Sequence, residues 1–373
     1  MGTSPSAAAD GTSPSGDPQH VSVVVPTRDR PEFARRAVLS ALGQSGVVVD
    51  LVVVVDDGGR ESLSDQLRVV DPRVLVVRHE TSKGVSAARN RGIAESISPW
   101  IAFLDDDDIW VSDKLQRQID AAIAGGNEWC ISGSLVLDTN DVVTEVRNCP
   151  ADTSAVLAGL CSHNAVPGGG SGVVVARSLL EDVGGFDESL SMVADWELWH
   201  RFAHSSGCAI VSDALVGYLQ HRLSMTSTFA DHDAEIARLE RATMRYCDAD
   251  PAVRRLVYLD WMVGRTALVN RSKAAGMKLR FAIEQRSWGS LLMAARIFLV
   301  PTDFSIRSLF RVFRSPAAGI ATPAWVRAQI QTPAQPSGAA RADPLRPRVA
   351  TRLNVGPAPL DRVEPDPSGT LQS

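Results

Sequence analysis

Four short apolar runs constrain this chain more than any other feature. Val21-Ser22-Val23-Val24-Val25 is closed by Pro26-Thr27, and Leu51 to Val55 runs into Asp56-Asp57-Gly58-Gly59. Val74 to Val77 follows Asp71-Pro72, and Trp100 to Leu104 ends in Asp105-Asp106-Asp107-Asp108. Between them lie helical patterns. Pro31 to Leu42 puts Phe33, Ala37, Val38 and Leu42 on one side, and Ser62 to Val70 and Ser86 to Ile97 are two further segments. Runs this rich in β-branched residues, alternating with helices, imply strands buried on both faces and joined by helical crossovers. The expected fold is α/β, with a mostly parallel sheet flanked by helices.

In open α/β sheets ligands bind beyond the carboxyl ends of the strands. Thr27 to Arg30, Asp56-Asp57 and Asp105 to Asp108 all stand there, so three polar clusters define one expected pocket. Further along, Ser112 to Ala124 carries Leu115, Ile119 and Ile123 at helical spacing, with Gly125-Gly126 as its stop. Strands are expected around Trp129 to Asp138 and Val173 to Ala176, and helices from Ser178 and over Asp195 to His204.

Residues 1–19 read as disordered, 20–228 as the α/β domain, 229–315 as helical and 316–373 as a disordered Pro/Ala-rich tail. The net charge of −5 disfavours a nucleic-acid partner. The N-terminus has neither the basic start nor the apolar core of a signal peptide, and no run reaches about 18 apolar residues. Cys130, Cys149, Cys161, Cys208 and Cys247 are scattered, with no Cys-x-x-Cys pair. Their spacing suggests neither a zinc site nor a disulfide framework, and the expected compartment is the reducing cytoplasm.

Four adjacent carboxylates repel one another unless a cation neutralises them. Hard oxygen ligands of this kind select Mg²⁺ or Mn²⁺. A solvated acidic turn is the plainer alternative, but this cluster leaves a run that should be buried.

At these residues the chain resembles the inverting family 2 glycosyltransferases. The resemblance rests on Val23-Val24-Val25-Pro26-Thr27, Val54-Val55-Asp56-Asp57-Gly58, Gly84-Val85-Ser86-Ala87-Ala88-Arg89-Asn90-Arg91-Gly92 and Phe103 to Asp108. It continues through Val183-Gly184-Gly185-Phe186-Asp187-Glu188 and Asp195-Trp196-Glu197-Leu198-Trp199. It implies a GT-A fold and sugar transfer from a UDP- or dTDP-sugar donor to a saccharide or lipid-linked acceptor. Pro26, Thr27 and Asp56, the first of the Asp56-Asp57 pair, would hold the nucleoside, with Lys83, Gly84 and Ala88 near the nucleotide. Asp105, with Asp106 beside it, would face the donor, and Asp107 would bind the metal, Mn²⁺ or Mg²⁺. Asp195 would be the general base, a role that a helix-capping Asp could mimic. His221 would contact the metal or the diphosphate, and Arg222 the phosphate.

Four positions depart from the family's pattern: Arg28-Asp29, Gly59, Ser82 and Ala194. Gly168 to Gly172 precedes a strand, so it is expected to be a flexible wall of the acceptor site and not a phosphate loop. Trp196 and Trp199 are candidates for sugar stacking, with core packing expected for one of them.

Between Arg271 and Arg314 nine Lys or Arg residues face only Glu284 and Asp303, interleaved with large apolar side chains. Such a surface suits peripheral contact with the inner face of the membrane, and equally a helical cap on the domain. Two other functions compete: a nucleotidyltransferase, which needs a Gly-rich loop that Pro26 to Asp29 lacks, and a catalytically silent sugar-nucleotide-binding protein. A dehydrogenase is disfavoured, since no Gly-x-Gly-x-x-Gly follows the first strand.

Overall fold

The computed structural model describes residues 17–221 apart from 64–66, 68–69 and 162, and beyond them residues 232–243, 246–247, 279 and 322–326. The N-terminal residues 1–16, most of the Ser62–Val70 segment, Arg222 and nearly all of 271–314 lie outside the described residues. All described residues belong to one unit, Met1–Pro333; the second, Ala334–Ser373, lies wholly outside them.

The elements run β1 (Gln19–Thr27), α1 (Pro31–Leu42), β2 (Val47–Asp57), β3 (Val74–His79), α2 (Val85–Glu95) and β4 (Trp100–Phe103). Then come β5 (Ile109–Trp110), α3 (Lys114–Ala124), β6 (Trp129–Leu137), β7 (Val143–Arg147) and α4 (Thr153–Leu160). A short 3₁₀ turn (Gly169–Gly172) leads into β8 (Val173–Ala176), α5 (Arg177–Val183), α6 (Ala194–Ser205), β9 (Cys208–Leu219) and α7 (His232–Thr243). They form one sheet in the order β3-β2-β1-β4-β8-β6-β9-β5, with β7 paired to β6. The first four strands are parallel. Strand β8 then joins β4 and β6 in antiparallel pairing, while β6 and β9 run parallel.

Side chains alternate between two cores, as a strand's two-residue period requires. Val24, Ile101, Phe103, Trp129, Ile131, Val173 and Val175 face the core filled by Trp196, Trp199 and Phe202 of α6. Val23, Val25, Ala102, Leu104, Cys130 and Val174 face the other, covered by Ala34, Ala37 and Val38 of α1 and Leu115 and Ile119 of α3. Both tryptophans of the Asp-Trp-Glu-Leu-Trp segment are therefore core residues. Trp196 donates its indole N–H to the Leu160 carbonyl, and Trp199 stacks on Trp129. Neither has a face to offer a sugar.

Three expectations are corrected. Cys161 and Cys247 form a disulfide across 86 residues, a pairing that sequence spacing could not reveal because α4 and the end of α7 meet only in the tertiary fold. The disordered tail was expected from 316, but Val326 is fully buried against Ile109, Leu135 and Leu137. Trp325, partly buried, packs against the same cluster. Order also starts slightly earlier than expected, at Gln19 in β1.

Helix α2 lies close on β1 because Gly92 faces Val24. A Cβ added at Gly92 would sit 2.2 Å from Val24 Cγ1. Gly92→Ala gains about 1 kcal/mol of helix propensity. Overpacking against a central strand costs about 1–3 kcal/mol. A net loss of stability is therefore expected in urea denaturation, and an unchanged or raised midpoint would show that the helix can move off the strand.

Candidate active site

Strands β2, β1 and β4 are neighbours and parallel, so their carboxyl ends stand side by side, with Thr27 paired to Asp56. This brings the three expected polar clusters together. At the end of β4 the four aspartates alternate in burial. Asp106 and Asp108 are buried, while Asp105 and Asp107 are partly exposed.

Each carboxylate has its own support. Asp106 accepts from the Thr27 hydroxyl at 2.7 Å and pairs with Arg30 at 2.7 Å. Asp107 accepts from Arg30 at 3.1 Å and lies 2.8 Å from His221 Nε2. Asp105 pairs with Arg89 at 2.6 Å. Asp108 accepts from the Ser171 hydroxyl at 2.6 Å and from the Leu219 amide at 3.1 Å. That last bond pins the end of β9 two residues before His221, which is how an imidazole 114 residues away comes to Asp107. Phe33 stacks on its ring.

The charge balance here is negative. Burial, with the Asp107 charge added, pushes the Asp106 carboxyl above the usual carboxylate range despite Arg30. Burial followed by Asp107 and Asp105 does the same to Asp108. For Arg30 burial acts to lower the pKa, but three neighbouring carboxylates outweigh it and the net shift is upward. A surplus of carboxylate oxygen beside an imidazole nitrogen fits a hard divalent cation, with Asp107 and His221 as the donors within reach of one another.

Several expected nucleotide contacts play supporting roles instead. Asp106 is 1% exposed and its carboxylate holds Thr27 and Arg30, so it shapes the pocket without facing a donor. Ala88 is fully buried against Val53 and Val55. Asp56 is fully buried between Arg78 and the Gly59 amide. Asp57 accepts from the Lys83 and Gly84 amides and the Ser82 hydroxyl, and lies 2.7 Å from His79 Nδ1. Burial would raise its pKa, but these bonds outweigh burial and lower it. Pro26 and Thr27 are buried too, whereas Lys83 is exposed and Gly84 half-buried.

Asp195 stands in the first turn of α6, accepting from its neighbour's amide, Trp196 N, at 2.7 Å and from Asn164 Nδ2 at 3.0 Å. Burial raises its pKa, opposed by the Arg89 charge. Arg89 thus serves Asp105 and Asp195 together. The Gly168–Gly172 segment is not a flexible wall. Gly170, Ser171 and Gly172 are buried, and a Cβ at Gly169 (φ +56°) would lie 3.1 Å from Asp195 Oδ2. Glycines let this turn press against Asp195 and Arg89 while Ser171 bonds Asp105 and Asp108.

Sequence reasoning missed Arg30, Arg89, Asn164, Ser171 and Glu235. The first two stood inside recognised segments, but nothing local marks a counter-ion. Glu235, on α7, is 1% exposed and accepts from the amides of Ser191, Met192 and Val193, the last two at 2.6 and 3.4 Å. A carboxylate from another helix therefore caps the start of α6, where Val193 has no side-chain cap of its own.

The fold is of the GT-A type, and TarS 1-349 of S. aureus, solved in complex with UDP-GlcNAc, matches it with a TM-score of 0.51. That match has 17% identity and covers 75% of this chain and 81% of the other. Residues 22–142 match the model of glycosyl transferase family 2. Succinoglycan biosynthesis protein ExoO of Rhizobium meliloti is 36% identical over 33% of this chain and 34% of its own length. UDP-Glc:alpha-D-GlcNAc-diphosphoundecaprenol beta-1,3-glucosyltransferase WfgD of Escherichia coli is 24% identical over 58% of this chain and 83% of its own. The chain thus spans about a third of the first relative's length and most of the second's. Among the described residues no helix is long and apolar enough to cross a membrane.

Replacing Glu235 by Ala strands buried amides and is expected to cost about 1–3 kcal/mol. Glu235→Gln keeps an acceptor and should recover most of that loss. Equal stability of wild type and Glu235→Ala in chemical denaturation would rule out the capping role.

Proposed function

We propose that this protein is an inverting glycosyltransferase, moving a sugar from a UDP- or dTDP-sugar to an acceptor hydroxyl in polysaccharide or glycolipid biosynthesis. One observation carries the reading: the Gly169–Gly170 turn lies against both Asp195, the candidate base, and Arg89, which pairs with Asp105 at the head of the aspartate cluster, whose Asp107 meets His221. Base and leaving-group ends then share one pocket. The match of residues 22–142 to the family 2 model and relatives named for succinoglycan biosynthesis and for glucosyl transfer to a diphosphoundecaprenol-linked sugar support the same class.

In this reading Asp195 accepts the proton of the acceptor hydroxyl as that oxygen bonds to the anomeric carbon. The bond from that carbon to the diphosphate oxygen breaks on the opposite face, and the nucleoside diphosphate leaves. One displacement inverts the configuration. Asn164 holds one Asp195 oxygen at 3.0 Å and so orients the carboxylate. Arg89, buried between two carboxylates, keeps Asp195 from drifting too far toward its neutral form. Asp107 and His221 would hold Mn²⁺ or Mg²⁺, which when bound neutralises the departing diphosphate. Arg30 and Lys83 are the nearby cations for phosphate. The acceptor is proposed to be a saccharide or a lipid-linked sugar, and residues 271–314 to meet the inner membrane face.

The reading is tested by calorimetry with UDP, dTDP and GDP, with and without Mn²⁺, on wild type and Asp107→Ala. Metal-dependent binding of one nucleotide, lost in the variant, is expected. A folded protein that binds none of the three would sink the proposal. Asp195→Asn should still bind nucleotide while kcat falls about 10²–10⁴-fold. Because burial raises the Asp195 pKa and the base acts deprotonated, kcat/KM should climb with pH through a pKa above the ordinary carboxylate range. An acid limb at or below that range would argue against Asp195 as the base.

A further inference from the structure

A second constellation lies outside the pocket and has no part in the proposed reaction. Cys161 ends α4, His200 lies in α6, and Cys247 follows α7. Their two sulfurs and one imidazole nitrogen fall within 4.8 Å of one another. The two sulfurs are joined as a disulfide in this structure. We infer that, once this disulfide is reduced, Cys161, His200 and Cys247 form a zinc site.

Donor chemistry comes first. Two thiolates and an imidazole are the ligand set that selects Zn²⁺ over hard cations, with a fourth position for water or a further ligand. Zinc bonds of about 2.0–2.3 Å in tetrahedral geometry put donor atoms roughly 3.3–3.8 Å apart. The three donors already lie within 4.8 Å of one another, close to that spacing.

His200 is also set for the role. Its Nε2 lies 2.8 Å from the Leu160 carbonyl, which can only accept, so Nε2 carries the proton. Nδ1 is then the nitrogen that carries no proton. Zinc-binding histidines are oriented in this way, by donating their other ring N–H to a carbonyl. The ring is fully buried and parallel to that of Tyr246, the residue before Cys247. Both cysteines are partly exposed, within reach of a reductant and of metal.

The chemistry balances. A dithiol supplies two electrons and two protons to the disulfide, giving two thiols and the oxidised dithiol. Zinc then binds as the two thiols release two protons to solvent. The bound ion would join the end of α4 to Cys247, as the disulfide does, and would add α6 through His200.

The test uses the full chain carrying Asp107→Ala, so that the pocket's own metal affinity does not contribute. The protein is reduced with a dithiol, desalted without oxygen and titrated with Zn²⁺ against a chromophoric chelator. One zinc per chain, a thiolate-to-metal charge-transfer band with Co²⁺, and no uptake by the oxidised protein are expected. Cys161→Ser and Cys247→Ser should each weaken binding by more than the roughly 100-fold that loss of a supporting partner costs. His200→Gln should weaken it too, and the two Cys variants stand in if that buried substitution fails to fold. Reduced protein that takes up no zinc, or that binds it no better than the double Cys variant, would overturn the site.

Discussion

Four successive aspartates leave a strand that has no exposed residue, and the surroundings are organised around their charge. Like charges about 4 Å apart repel by roughly 4 kcal/mol near a protein surface. The four aspartates form a turn, closed by the Asp108 amide donating to the Asp105 carbonyl at 3.0 Å, and burial alternates along it. Asp106 and Asp108 turn inward, where Thr27, Arg30, Ser171 and the Leu219 amide receive them. Asp105 and Asp107 turn toward the pocket, against Arg89, Arg30 and His221. The inward pair does structural work with a functional result. Asp108 fixes the end of β9 and so places His221, and Asp106 holds the Arg30 that also reaches Asp107.

The second half of the pocket is built by elements beyond the family 2 match. The Gly168–Gly172 turn presses between Asp195, Arg89 and the aspartates, which only residues without a Cβ permit at Gly169. Asn164, three residues past Cys161, holds Asp195, and Glu235 caps the helix that carries it. Helix α7 and its disulfide therefore support the candidate base from outside the sheet. This explains why core residues such as Trp196, bonded to Leu160, lie so close to the chemistry.

Departures from the family pattern answer one another in space. Arg28 donates to Ser82 at 3.1 Å, so two unusual residues meet across the pocket's edge. Asp29 has a left-handed backbone (φ +55°) and accepts from the Arg60 amide at 2.7 Å. A Cβ at Gly59 would come within 2.9 Å of Asp56 Oδ1 and 3.1 Å of Asp29 Oδ1. The glycine there is the companion of Asp29, and a serine would not fit without movement. Ala194 is buried at the head of α6, where Glu235 supplies the carboxylate.

Local pattern alone was enough for the parallel half of the sheet, for α1 with its bounds, and for the meeting of Thr27, Asp56-Asp57 and Asp105 to Asp108. β-branched runs and helical periodicity act over a few residues, and parallel strands bring their carboxyl ends together by topology. Which carboxylates face the pocket was not legible, because burial depends on partners such as Arg78, Arg30 and Ser171 that arrive from other elements. For the same reason Asp56 and Asp106 turned out to be buried, and Trp196 and Trp199 to be core. The counter-ions, the cap from Glu235, the Cys161–Cys247 bond and the packed Val326 are all contacts between distant segments. Sequence determined what each segment would become and which chemistry it carried. Tertiary structure decided which of those groups would be spent on holding the others in place, since bonds between remote segments form only once those surfaces meet, and the low dielectric there strengthens them.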